Sequence, residues 1–275
     1  MCKVVCVKNQ TVICGDCLIE MGKMRNGSVD IVVTSPPYNI NMPYFKYSDS
    51  KPRAEYINWM LEAISEMGRL LTENGSVFLV MSAKPSDPSL PFEVITRVKD
   101  LKWQNHIMWV KSIAIGNDPS LSFGHYKPIN SKRFEHSCFE NVFHLTKLGS
   151  VDCDRLAIGL PYKWKCNRKN RKTGEKKPDL RPRGNAWYVP YETIQRREER
   201  FHHPAPFPAG LAEMCIKFHG VGGKPIVLDP FVGIGNTLLA TAKLGLTGIG
   251  IDLDESYCDV SRKQLEMCDG EGCLY

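Results

Sequence analysis

Apolar residues along this chain fall into two alternating rhythms. Short runs near 11–15, 28–34, 75–82, 105–111, 139–146, 225–229 and 246–252 have the length and β-branched content of buried strands. Between them the spacing changes. Ile57, Met60, Leu61, Ile64, Met67 and Leu71 recur at three- and four-residue steps, which predicts a helix over Glu55–Leu71. Helical spacing returns near 206–219, 236–244 and 254–267. Strands alternating with helices predict an α/β protein whose sheet is covered by helices on both faces. The strands ending at Thr34 and Asp229 should lie close together, because both run into loops and ligands gather at the carboxyl ends of such strands.

The first of these, Val29-Asp30-Ile31-Val32-Val33, runs into Thr34-Ser35-Pro36-Pro37-Tyr38. Proline has no N–H, fixes its own φ and pushes the preceding residue into extended backbone, so Ser35 and Pro36 continue neither a helix nor a central strand. A rigid loop results, carrying a hydroxyl, two proline-fixed carbonyls and one aromatic ring. The Ser35 hydroxyl and the Pro36 carbonyl offer two neighbouring acceptors, matching the two N–H donors of an exocyclic amine on cytosine or adenine. Tyr38 is placed to stack on the ring of a base that has left its duplex. Taken alone, the tetrapeptide is equally well a proline turn with a surface tyrosine.

The strand Ile226-Val227-Leu228-Asp229 is followed by Pro230-Phe231-Val232-Gly233-Ile234-Gly235-Asn236-Thr237, a strand, glycine loop and helix start in which Asn236 or Thr237 opens the helix. The next strand ends at Asp252, 23 positions after Asp229, the spacing of a carboxylate that binds ribose hydroxyls. A nucleoside cofactor is implied. Leu238 stands where a dinucleotide motif has its third glycine. Asp229 would repel a pyrophosphate yet suit the ammonium of a methionine moiety, so S-adenosyl-L-methionine fits better than a nicotinamide dinucleotide.

With these motifs in this order, the chain resembles the amino-methyltransferases of the permuted β class, most closely their cytosine-N4 group, in which Ser-Pro-Pro-Tyr precedes Phe-x-Gly-x-Gly. The likeness covers most of the chain. It implies a Rossmann-like methyltransferase fold with a mostly parallel seven-stranded sheet and circularly permuted motif order. Cys14-Gly15-Asp16-Cys17 is similar to the family's Gly-Asp step, which implies that Asp16, beside Cys17, contacts the cofactor's adenine amine. Trp109-Val110-Lys111 and Glu140 to Lys147 resemble its later strands. His203-Pro204-Ala205-Pro206-Phe207-Pro208 resembles the segment lying over the methionine part of the cofactor, implicating Pro206 and Phe207. The implied reaction is methylation of cytosine N4 in DNA, with ribosomal RNA cytosine or DNA adenine-N6 as alternatives. A companion restriction endonuclease, and monomer against homodimer, stay open.

Charge sharpens the partner. Residues 163–200 carry a net +8, against +6 for all 275 residues, so the basic character sits in one stretch. That stretch interleaves Lys163, Lys165, Arg168, Lys169, Arg171, Arg181 and Arg183 with Trp164, Trp187, Tyr188 and Tyr191, as phosphate contacts and base stacking require. Its position matches the family's target-recognition region. The expected organisation is a catalytic domain over 1–150 and 201–275 and a basic insertion over 151–200. Lys127, Lys132 and Arg133 form a second candidate loop facing nucleic acid. A solvated loop is the ordinary explanation of a charge run, and a non-catalytic nucleic-acid binding module could use the basic stretch alone.

Cysteine usage removes other chemistries. Cys2, Cys6, Cys14 and Cys17 match no common zinc spacing, so no metal site is expected. None of the eleven cysteines follows proline, so the Pro-Cys nucleophile of carbon-5 cytosine methyltransferases is missing. The longest apolar runs are of strand length and residues 1–15 lack a signal-peptide core, so a cytoplasmic enzyme with no membrane contact is expected. In such an enzyme Ser35 and Pro36 would orient the amine and Tyr38 the ring, and none of the seven histidines is needed as a base.

Overall fold

The computed structural model describes residues 3–124, 132–135, 137–163, 173–174, 179–190 and 206–268. Its strands in chain order are β1 (Lys3–Val7), β2 (Gln10–Cys14), β3 (Val29–Thr34), β4 (Leu71–Met81), β5 (Lys102–Val110), β6 (Ile113–Ala114), β7 (Ser122–Phe123), β8 (Phe139–Thr146), β9 (Leu160–Pro161), β10 (Leu180–Arg181), β11 (Ala186–Tyr188), β12 (Ile226–Asp229) and β13 (Thr247–Asp252). Six α-helices accompany them among the described residues: α1 (Cys17–Gly22), α2 (Arg53–Leu70), α3 (Leu90–Arg97), α4 (Ala209–His219), α5 (Asn236–Lys243) and α6 (Glu255–Met267).

Nine strands form one sheet in the order β1-β2-β13-β12-β3-β4-β8-β5-β11. The seven strands expected from the apolar runs are its seven contiguous inner members; β1 and β11 extend the two edges. The neighbours from β2 to β4 are parallel, and β8 runs against both β4 and β5. Alternation along the strands divides the core. Val77, Leu79 and Met81 of β4 pack with Met60, Ile64 and Met67 of α2, whereas Phe78 and Val80 face Leu211, Cys215 and Ile216 of α4. The first three helices cover one face and the last three the other.

β12 and β3 are adjacent and parallel, which brings Asp229 and Thr34 to the same edge. The loop after β12 needs its glycine: Gly235 has φ +95°, and a Cβ there would come within 2.3 Å of Ser261 Oγ. Leu238 takes the place of the usual third glycine because the close approach is made from the strand instead. A Cβ on Gly250 of β13 would lie 2.9 Å from Leu238 Cδ1 and 2.7 Å from Val232 Cγ2.

The described residues of 151–200 meet the rest of the structure at several points. Val151 and Ile158 are buried, β9 pairs with β10, and β11 joins the main sheet beside β5. Trp187, expected among the base-stacking aromatics, is fully buried, packs on Phe218 and donates from Nε1 to the Gly184 carbonyl. Its apolar bulk completes the core instead. No helix among the described residues is long and apolar enough to cross a membrane.

Candidate active site

The carboxyl ends of β2, β3, β12 and β13 surround a cavity of about 380 Å³, the size of a small-molecule site. Its wall includes Asp16, Cys17, Ser35, Pro37, Pro206, Phe207, Pro230, Phe231, Gly233, Asn236 and Asp252 from the two motif regions. These parts of the sequence, some two hundred residues apart, therefore meet in one space.

Local chemistry explains how each is held. Asp16 caps α1, its Oδ1 accepting from the Leu18 and Ile19 N–H groups. Cys17 follows on that helix, and burial pushes its thiol up to about 12, so it is an inert wall group. Asp252 accepts from Gly233 N–H and Asp254 N–H, tying the end of β13 to the glycine loop. Burial pushes the Asp252 carboxyl up to about 6 against these two amides. Asn236 begins α5 without capping it. Its side chain donates instead to the Phe207 carbonyl at 2.6 Å, fastening the proline segment to the loop.

Asp229 is placed differently from its expected role. It is wholly buried and does not line the cavity; Thr34 Oγ1 (2.6 Å), Thr237 Oγ1 (2.5 Å) and the Phe231 N–H donate to it. Thr237 is likewise buried behind the wall. Burial pushes the Asp229 carboxyl up to about 6 in spite of those three donors. Its oxygens join β3, β12 and α5.

The amine side shows a second rearrangement. Ser35 and Pro37 line the cavity, whereas Pro36 and Tyr38 do not. Pro37's carbonyl accepts from Tyr56 Oη of α2 at 2.9 Å, so one of the two proline carbonyls is already engaged. Tyr38 Oη lies 2.6 Å from Ser35 Oγ and donates to Glu140 Oε2 at 2.8 Å; Lys111 Nζ pairs with Glu140 Oε1 at 2.8 Å. Burial, and then the charge of Glu140, hold the Tyr38 phenol well above its ordinary range, so it stays protonated.

Several wall residues carried no signal in the apolar pattern. Tyr44, Lys46, Tyr47 and Lys51 come from a loop after Tyr38, folded around buried Asp49, which accepts from the Asn39, Ile40 and Met42 N–H groups. Asn39 and Asn41 take positive φ there, and the dense Asn, Asp and Ser content of 39–50 was the readable sign of an ordered turn. Trp59 of α2 meets Phe231 edge-on at 5.5 Å. Asp254 caps α6 through Oδ1, while its Oδ2 is buried with no partner among the described residues.

Of the candidate nucleic-acid contacts, Lys132, Arg133, Lys163 and Arg181 are exposed, and Arg183 is half-buried with Nε donating to the Ile158 carbonyl. Lys127, Lys165, Arg168, Lys169 and Arg171 lie outside the described residues. Among the described residues no three His, Cys, Asp or Glu side chains converge as metal ligands.

Residues 29–263 match the DNA methylase family of N6- and N4-methyltransferases. The chain belongs to this family. Type II methyltransferase M.BglII of Bacillus subtilis is 27% identical over 259 residues, covering 90% of this chain and 66% of its own length. DNA adenine methyltransferase YhdJ of Escherichia coli K12 is 26% identical over 264 residues, 94% of this DNA methylase and 83% of YhdJ. Among solved structures, the cytosine-N4-specific PvuII DNA methyltransferase superposes with a TM-score of 0.68 at 17% identity, over 98% of this chain and 89% of that one. The complex of M1.HpyAVI with S-adenosylmethionine superposes with a TM-score of 0.53 at 21% identity, over 94% and 100%. These likenesses place the fold of this DNA methylase among Rossmann-like methyltransferases.

Proposed function

We propose that the protein methylates the exocyclic N4 amine of cytosine in DNA. The observation that carries this reading is Ser35 on the wall of the same cavity as the Gly233–Gly235 turn and Asp252. The cofactor is S-adenosyl-L-methionine. The residues present suit it: Asp252 for the ribose hydroxyls, Asp16 for a further donor, Phe231 and Phe207 for apolar faces, and Lys46 or Lys51 for a carboxylate. When bound, it supplies a methyl carbon that leaves sulfur, the bonding pair staying on sulfur, as the amine nitrogen attacks.

The chain's own residues then have two tasks. The cytosine amine is conjugated with its ring, so it must be held where its lone pair can reach the methyl carbon. Ser35 Oγ accepts one amine N–H; the Pro36 carbonyl, the second acceptor expected from the motif, lies behind the cavity wall. The exposed cations Lys132, Arg133, Lys163 and Arg181, with the expected partners Lys127, Lys165, Arg168, Lys169 and Arg171, neutralise phosphates and position the duplex. Serine rather than an acidic residue ahead of the two prolines favours cytosine over adenine.

The test is transfer of labelled methyl from the cofactor to unmodified genomic DNA and to total RNA, followed by nucleoside analysis. Label in N4-methyldeoxycytidine supports the proposal. Label in N6-methyldeoxyadenosine makes the adenine reading correct, and label confined to RNA removes DNA as substrate.

A further inference from the structure

The contact between Ser35 and Tyr38 has two possible directions, and only one suits an amine. Tyr38 has a single hydroxyl proton. Glu140 Oε1 is held by the Lys111 ammonium at 2.8 Å, and Oε2, 2.8 Å from Tyr38 Oη, can only accept. A hydrogen bond to a carboxylate is roughly twice as strong as one between two hydroxyls. The phenol proton therefore goes to Glu140, and the 2.6 Å contact is closed by the Ser35 proton. Ser35 Oγ is left with lone pairs alone for the cavity. In the opposite direction its proton would face an amine N–H, donor against donor.

We propose that Glu140 and Lys111 are positioning residues that fix this direction, making Ser35 an acceptor for the target amine, and that the same chain of groups carries the amine's proton away. The inference rests on the amine-methylation reading above. After the nitrogen has gained its methyl group, its N–H proton passes to Ser35 Oγ, the Ser35 proton passes to Tyr38 Oη, and the Tyr38 proton passes to Glu140 Oε2. The hydroxyls end as they began, and the carboxylate has become a carboxylic acid. The Tyr38, Glu140 and Lys111 side chains are all half-buried, and Lys111, 23% exposed, opens the ion-pair end of the series to water.

The decisive measurement is a double-mutant cycle on the whole protein, read as single-turnover methyl transfer to duplex DNA and, separately, as affinity for S-adenosylhomocysteine by calorimetry. Tyr38→Phe and Glu140→Gln should each slow transfer about tenfold to a hundredfold. The double variant should be slower than the worse single one by no more than about twofold, because both act in one series of groups. Affinity for S-adenosylhomocysteine should stay within about twofold throughout, which also verifies folding. Glu140→Asp, which keeps a carboxylate, should regain part of the rate that Glu140→Gln loses. Multiplicative losses, wild-type rates in either single variant, or a loss confined to cofactor affinity would overturn the relay. A wild type that binds S-adenosylhomocysteine but methylates no DNA amine would overturn the functional reading itself, and the relay with it.

Discussion

Asp229 and Asp252 end neighbouring parallel strands, and burial pushes both carboxyls up to about 6, yet they do opposite work. Asp252 lines the cavity, held by two backbone N–H groups. Asp229 is sealed behind it by two threonine hydroxyls and one amide. A shifted carboxyl at a strand end is therefore no sign of ligand binding by itself. What separates the two is whether the partners of the carboxylate come from the structure or leave room for a ligand.

The comparison can be broken most directly at Asp229. Asp229→Ala leaves the Thr34 and Thr237 hydroxyls and the Phe231 amide without their acceptor, and should cost about 3 kcal/mol of stability in chemical denaturation. Equal stability to wild type would show that the buried clamp is not structural. Asp252→Ala should instead weaken S-adenosylhomocysteine binding by about tenfold to a hundredfold, as expected for a lost bond to a charged acceptor. If calorimetry gave the same affinity, the cavity would not hold ribose as described.

Acidity gives a finer separation. A carboxyl raised from 3.8 to about 6 favours the protonated folded state, so its contribution to stability is complete below about pH 4 and is lost as pH rises through 6. Asp229→Asn should flatten that decline between pH 4 and 6, seen as midpoints of denaturation across the range. Cofactor-product affinity should drop a few-fold as pH falls through 6, and Asp252→Asn should remove the dependence. The smallest effect belongs to Thr237→Val, about 1 kcal/mol with cofactor-product affinity unchanged, since its hydroxyl serves only the buried carboxylate and the wall stays intact.

The period-two and period-3.6 patterns located the seven inner strands and four of the six helices because those elements bury one continuous face or both. They missed α1 and α3, which are short, and β11, whose Trp187 sits within a basic stretch that reads as surface. In the site, residues bound to a local motif were legible: Ser35, Gly233, Gly235 and Asp252 occupy the cavity wall or its loop as their spacing required. Partnerships across the sheet were not. Glu140 stands 102 positions from Tyr38, and nothing in its own neighbourhood states that β8 will lie beside β4 in reverse. Asp229 misled for the same reason, since its threonine partners come from another strand and the following helix.

The reversal of β8 has one further effect. Parallel strands deliver their last residues to the edge that carries Ser35, but β8 delivers its first, so the backbone leading into it reaches that same edge. Only two positions before Glu140, the Cys138 carbonyl receives the Lys111 and Ser112 N–H groups, anchoring that approach to the end of β5. Insertions or exchanges in the chain just upstream of Cys138 would thus tug on the Glu140 carboxylate directly and, through Tyr38, on the Ser35 hydroxyl at the same edge of the sheet.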